Sequence, residues 1–252
     1  MRELEKLLDR IIQRININLR ELDYDITPFI KNLVPLNQMV KFYAFYGITP
    51  NHPLDLVFRH SSLAGTYFLG KIRTRNSILY KSDIRGDELK QQGDVFNYQK
   101  FEIPITRDEG IDIEDSFLIK TLVHNLSHDP ETLEKFFIRD TVSAQGANVH
   151  GSPSDGCFLG PLATVDLTTM RDCVIGTYSY VQAGEIGHLN VRPGTIWVRS
   201  PGDFSFLYQH PLDKLDHYIN FHESRPPQGL FIDFVEDREE AFQRVFDVVN
   251  LE

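Results

Sequence analysis

Nine histidines punctuate the chain, and four of them stand where imidazole chemistry could be organised. His124 and His128 are four apart, a spacing that puts two side chains on one face if the stretch is helical. His150 follows Gln145 by five positions, and His188 closes the run Glu185-Ile186-Gly187-His188. Imidazole titrates near neutral pH, so each can take a proton from an attacking group or hold a metal ion. Taken singly, His124 and His150 read equally well as partly buried histidines bonded to a backbone carbonyl where the chain turns, and His188 as a corner residue. Arg85 and Asp87 offer other chemistry: a planar guanidinium fork beside a carboxylate, suited to an ion pair between packed segments or subunits.

Such residues act together only if the segments between them are held in register. Leu159-Gly160 leads six residues on to Val165-Asp166, and Ile175-Gly176 six residues on to Val181-Gln182. The same beat runs through Val57, Leu63 and Leu69, then Ile72, Ile78 and Ile84 in a shifted phase, then Ile113 and Ile119, and again from Val142 to Val198. A six-residue aliphatic period fits neither a twisted sheet strand nor an amphipathic helix. It is the hexapeptide signature of a parallel β-helix, each short strand forming one side of a triangular coil. Residues 88 to about 110 are polar and read as an insertion. Ser127-His128-Asp129-Pro130-Glu131 carries helix-capping residues and predicts a short helix through Phe137.

Outside the beat, Leu4, Leu7, Leu8, Ile11, Ile12, Ile15 and Leu19 repeat at helical spacing, predicting an amphipathic helix from residue 3 to about 22. After Gly202 the beat stops, and two helical stretches, 211–222 and 235–249, are expected to cap the open end of the coil. Phe204, Phe206 and Tyr208 are expected to pack on the last coil. The organisation is therefore an N-terminal helical segment (1–50), a β-helix (51–202) with an insertion near 88–137, and a helical cap (203–252). A net charge of −10 disfavours a nucleic-acid partner. No apolar run approaches the ~20 residues that span a bilayer, and the N-terminus lacks a leader pattern, so a cytoplasmic protein with no membrane partner is expected. Cys157 and Cys173 are expected as buried thiols.

The segments from 57 to 202 resemble the left-handed β-helix superfamily of hexapeptide-repeat acyltransferases and γ-class carbonic anhydrases. Asn190-Val191-Arg192-Pro193-Gly194-Thr195-Ile196-Trp197-Val198-Arg199-Ser200-Pro201-Gly202 is similar to the closing coil of both branches. Ile84-Arg85-Gly86-Asp87-Glu88 resembles the carbonic anhydrase coil that pairs subunits through an arginine and an aspartate. The coil from Ile111 to His124 resembles the one ending on the first zinc histidine, and Ala147-Asn148-Val149-His150-Gly151 the one supplying the last.

That resemblance implies a homotrimer of left-handed parallel β-helices acting on a small-molecule substrate. It also implies a metal held by His124, Gln145 and His150, with Glu88 relaying protons; His128 is a further candidate ligand. Gln145 stands where the family has histidine. An amide is a poor zinc donor, so the site would bind zinc weakly, bind another divalent metal, or be vestigial. The leading expectation is metal-activated water attacking CO2 or a small carbonyl. The second is acyl transfer from an acyl-CoA, with His150 or His188 as base and Arg192 and Arg199 near the donor phosphates. The third is a non-catalytic trimeric scaffold.

Overall fold

The computed structural model describes residues 1–41, 43–48, 54–86, 90–125, 135–200, 202, 204–211, 220 and 226–229. Its body is a left-handed parallel β-helix with three sheets of nine, seven and six strands. Each full coil visits the three faces in turn, as in Thr168–Arg171, Val174–Ile175 and Tyr180–Gln182. Successive coils then stack in parallel register, with His150 falling beside Asp166 across a sequence separation of 16. The coil is thus two residues shorter than three equal six-residue steps would make it.

Inside, identical positions of neighbouring coils meet. Phe68, Ile84, Val123, Val149, Val165 and Val181 form one buried column, each beside the next. Small β-branched and aliphatic residues suit this position because every strand is covered on its inner side along its whole length.

The corners explain much of the remaining sequence. Asn76, Asp115, Asp140 and Asp172 all adopt positive φ at one corner, a conformation that Asn and Asp tolerate better than other side-chain-bearing residues. The residue after each bonds back to the carbonyl two positions earlier: Ser77 Oγ at 2.8 Å, Ser116 Oγ at 2.7 Å and Thr141 Oγ1 at 2.7 Å. Cys157 and Cys173 take the same place in the next coils, with Sγ 3.3 and 3.1 Å from the matching carbonyls. Both cysteines are free and buried, and burial pushes the Cys157 thiol pKa up.

One face is covered by helices. The helix Arg2–Asn18 buries Leu8, Ile11, Ile12 and Ile15 in a cluster with Ile78, Phe117, Val142, Phe158 and Val174, which point outward from that sheet. Each such side chain contributes about 1.5–3 kcal/mol by leaving water, an upper estimate. Arg10 and Arg14 then reach the corner aspartates Asp115 and Asp140 at 2.9 and 3.4 Å. The 3-10 turn Arg20–Leu22 and the short helices Thr27–Ile30 and Leu36–Met39 extend the cover.

Several expectations change. Within the span 88–137, Ile111–Glu114, Phe117–Ile119 and Leu122–His124 are rungs of the β-helix. The excursion lies before them and carries an antiparallel hairpin, Val95–Tyr98 with Phe101–Pro104. Phe136 and Phe137 belong to the strand Phe136–Arg139, where alternation rather than helical spacing buries Phe136 and Ile138. Residues 126–134 lie outside the described residues. The β-helix also starts before residue 51, because Phe45–Gly47 pairs in parallel with Tyr67–Leu69.

Beyond Gly202, Ser205–Gln209 is a strand lying antiparallel to Thr195–Arg199, so the last described rung is extended by pairing instead of a helix. Phe204, Phe206 and Tyr208 are exposed on it, not packed as core. The expected helices at 211–222 and 235–249 fall almost wholly outside the described residues.

Candidate active site

The third face, opposite in character to the helix-covered one, carries polar residues in its middle coils. Strand alternation turns Val123, Val149 and Val165 inward and leaves their neighbours outward. Register then builds two outward columns. One contains Leu122, Asn148, Thr164 and Tyr180; the other contains Arg85, His124, His150 and Asp166. Seven of these residues, all but Arg85, line a depression of 280 Å³.

Within it the His124 and His150 rings stack, with centroids 5.2 Å apart and planes inclined by 19°. His150 Nδ1 lies 2.6 Å from Asp166 Oδ1. The Tyr180 hydroxyl donates to Asp166 Oδ2 at 2.9 Å, with Gln182 Oε1 at 3.3 Å. Asp166 is thereby held from two sides, and in turn fixes the imidazole with its Nδ1 engaged, leaving Nε2 for other partners. Desolvation, followed by the bond and charge of Asp166, pushes the Tyr180 hydroxyl up to about 12, so it remains a donor at neutral pH. Asn148 leaves its buried side-chain oxygen without a hydrogen bond.

The structure therefore unites His124 with His150 but does not add Gln145 to them. Gln145 is buried in the turn between Val142–Ser143 and Asn148–His150, where its carbonyl accepts the Leu162 N–H at 3.0 Å, and it does not line the depression. Among the described residues, no three His, Cys, Asp or Glu side chains converge as metal ligands. The donor set fits a metal poorly: two imidazoles, one with a nitrogen committed to a carboxylate, and an amide in a turn.

Arg85 stands beside His124 on the neighbouring rung. Asp87, Glu88 and His128 lie outside the described residues. His188 is an exposed corner residue with positive φ, 3.9 Å from Asp172. Arg199 is occupied in binding the carbonyls of Ala183 and Glu185, with contacts of 2.6 to 3.1 Å, and so braces the last rungs. Arg192 borders a separate hollow beside Tyr24 and Phe158.

Asp166 and Tyr180 were not singled out from the sequence. The signal that finds them is the 16-residue coil period, which places Asp166 beside His150 and Tyr180 beside Thr164.

The family described as "hexapeptide repeat including loop" matches residues 101–223. A crystal structure from Desulfovibrio desulfuricans G20, of a protein provisionally named an acetyltransferase, superposes with a TM-score of 0.81 at 46% sequence identity. The match covers 97% of this chain and 53% of that one, so this chain spans about half the length of that relative. No curated protein matches the chain.

Proposed function

The chain belongs to the left-handed β-helix superfamily of hexapeptide-repeat proteins, and from that premise we propose that it is an acyltransferase using an acyl-CoA donor. The observation that carries this reading is the hydrogen-bonded trio His150, Asp166 and Tyr180 in an open depression. The provisional name of the Desulfovibrio protein supports it too.

In the proposed reaction, His150 Nε2 takes the proton of an acceptor hydroxyl or amine as that group attacks the thioester carbonyl carbon. The new C–O or C–N bond forms, the C–S bond breaks, and the departing thiolate takes the proton from the imidazolium. Asp166 holds the ring and stabilises its transient positive charge; Tyr180 keeps Asp166 aligned. Asn148 supplies an acceptor for a second N–H or O–H of the substrate. Glu88 and Gln145 have no part in this scheme, and no step uses a metal.

A homotrimer is part of the proposal. The depression of 280 Å³ is below the usual range for small-molecule sites, about 300–1,000 Å³, and lies on an open sheet face, so a neighbouring copy would supply its missing wall. Exposed Phe45 and Tyr67 at one end of that face and Phe206 and Tyr208 at the other fit such a contact. Among the described residues, no helix is long and apolar enough to cross a membrane.

The test is acetyl-CoA itself. Binding should raise the unfolding midpoint, and an acceptor panel of sugars and amines should release free thiol. Asp166→Asn should reduce that release while leaving donor binding intact. A protein that neither binds acetyl-CoA nor releases thiol is not an acyltransferase, and the scaffold reading would replace this one.

A further inference from the structure

The remaining face is strongly charged and carries a groove of 670 Å³. Most of its charges are internally matched. Lys71 reaches Asp108 at 3.0 Å, Arg75 reaches Glu114 at 2.8 Å, and Arg139 turns to Asp155 at 2.6 Å. Glu109 is buried and accepts the Lys90 N–H at 2.9 Å, closing the base of the excursion. Arg107 also has a partner. What remains is Arg59, Arg73 and Lys135, which enter no ion pair among the described residues, against two acids, Asp112 and the buried Glu109.

The register makes this surplus physically awkward. Arg59 stands directly beside Arg75 on the adjoining strand, and Arg73 lies two residues before Arg75 on the same strand and the same outward side. Neighbouring strands are only ~4.8 Å apart, and like charges facing at that distance destabilise a sheet. Glu114 pairs with Arg75, and Asp112 stands beside Arg73 in register without an ion pair to it, so Arg59 is the arginine with no carboxylate facing it from the next strand. The chain as a whole carries −10, so a concave surface with excess cations is a local reversal of sign, which concentrates small anions.

We propose that this groove binds a compact phosphorylated anion carrying at least two negative charges, held by Arg59, Arg73 and Lys135 and separate from the histidine depression. Guanidinium forks match phosphoryl oxygens bidentately, and cations on two adjoining strands and just before a third approach a tetrahedral group from several sides, a geometry less suited to a planar carboxylate. Phe137, beneath Arg139 at 5.1 Å, gives the groove an apolar wall. A nucleic-acid backbone is disfavoured, because Asp112 and Glu114 interrupt the cations and the overall charge repels a polyanion.

The probe is inorganic pyrophosphate, titrated calorimetrically into the whole protein at low salt, with citrate as the carboxylate comparison. Pyrophosphate should bind, bind more weakly as salt rises, and lose affinity by about tenfold or more in the Arg59→Gln/Arg73→Gln double variant. Arg171→Gln, on the same face but outside the groove, should leave binding unchanged. Because the arginines are exposed, the variants should fold; thermal unfolding supplies an independent readout. Without anion, Arg59→Gln should raise the unfolding midpoint by relieving like-charge contact, whereas saturating pyrophosphate should raise the wild-type midpoint and not that of the double variant. An absence of pyrophosphate binding, undiminished binding in the double variant, or tighter binding of citrate would overturn the proposal.

Discussion

The helix-covered face and the histidine face are built by the same coils, from strands of similar length and with equally buried inner columns. They differ only in their outward residues. On one, Ile78, Phe117, Val142, Phe158 and Val174 are sealed beneath the N-terminal helix. On the other, His124, His150, Asp166 and Tyr180 remain at the surface in a shallow depression. The inner positions thus specify the coil, and the outward positions are free to carry either stability or chemistry. A protein organised this way should lose the two properties separately.

Breaking the histidine face first gives the largest expected effect. His150→Ala should lower the rate of acyl transfer by about 10²–10⁴-fold, the range for loss of a general base, while costing no more stability than one part-buried hydrogen bond, about 0.5–1.5 kcal/mol. A loss as large as that of a core truncation would contradict the separation of the two faces. The reciprocal change is Phe158→Ala on the helix-covered face. Phe158 is buried against Tyr24 and Phe29, with ring centroids at 5.8 and 5.4 Å, and its truncation should cost about 3–5 kcal/mol in denaturant unfolding. Donor binding by the folded fraction should persist.

A smaller effect concerns pH. The folded state raises the Tyr180 hydroxyl to about 12 from its ordinary value near 10, so its stabilising contribution is complete below 10 and is lost as pH climbs through about 12. Stability curves of wild type and Tyr180→Phe should therefore converge across that window; parallel curves would remove Tyr180 from the trio. The smallest effect is at the rim of the helix. Arg14→Ala, which deletes an exposed pair with Asp140, should change stability by about 0.2–1 kcal/mol.

The architecture was legible because apolar residues recur wherever a coil must be filled, and the N-terminal helix because its stripe has the right spacing. The phase of the beat was less so. Val57 fits the six-residue spacing yet is exposed, while Leu56 packs toward the core. A six-residue rule locates strands but does not count a 16-residue coil, and so it hid the adjacency of His150 and Asp166. Phe136 and Phe137, expected at the end of a helix, instead pair with a neighbouring rung, and Ser205–Gln209, expected to pack its aromatics on the last coil, extends that rung as a strand; both are long-range pairings that local signals do not contain. His124 and His150 were found through family likeness, but Gln145, matched by position, is removed from them by the turn it occupies.

The stacking of the coils has a metrical consequence. Groups on neighbouring rungs are offset by one strand spacing, ~4.8 Å, and groups on distant rungs by whole multiples of it. The protein is therefore graduated like a rule, with His124, His150 and Asp166 on consecutive marks. Adding or removing one 16-residue coil would move chemistry along the axis by a single mark while leaving every corner and every inner column intact. Reach along this molecule is changed in steps, and the length of the chain sets how many steps there are.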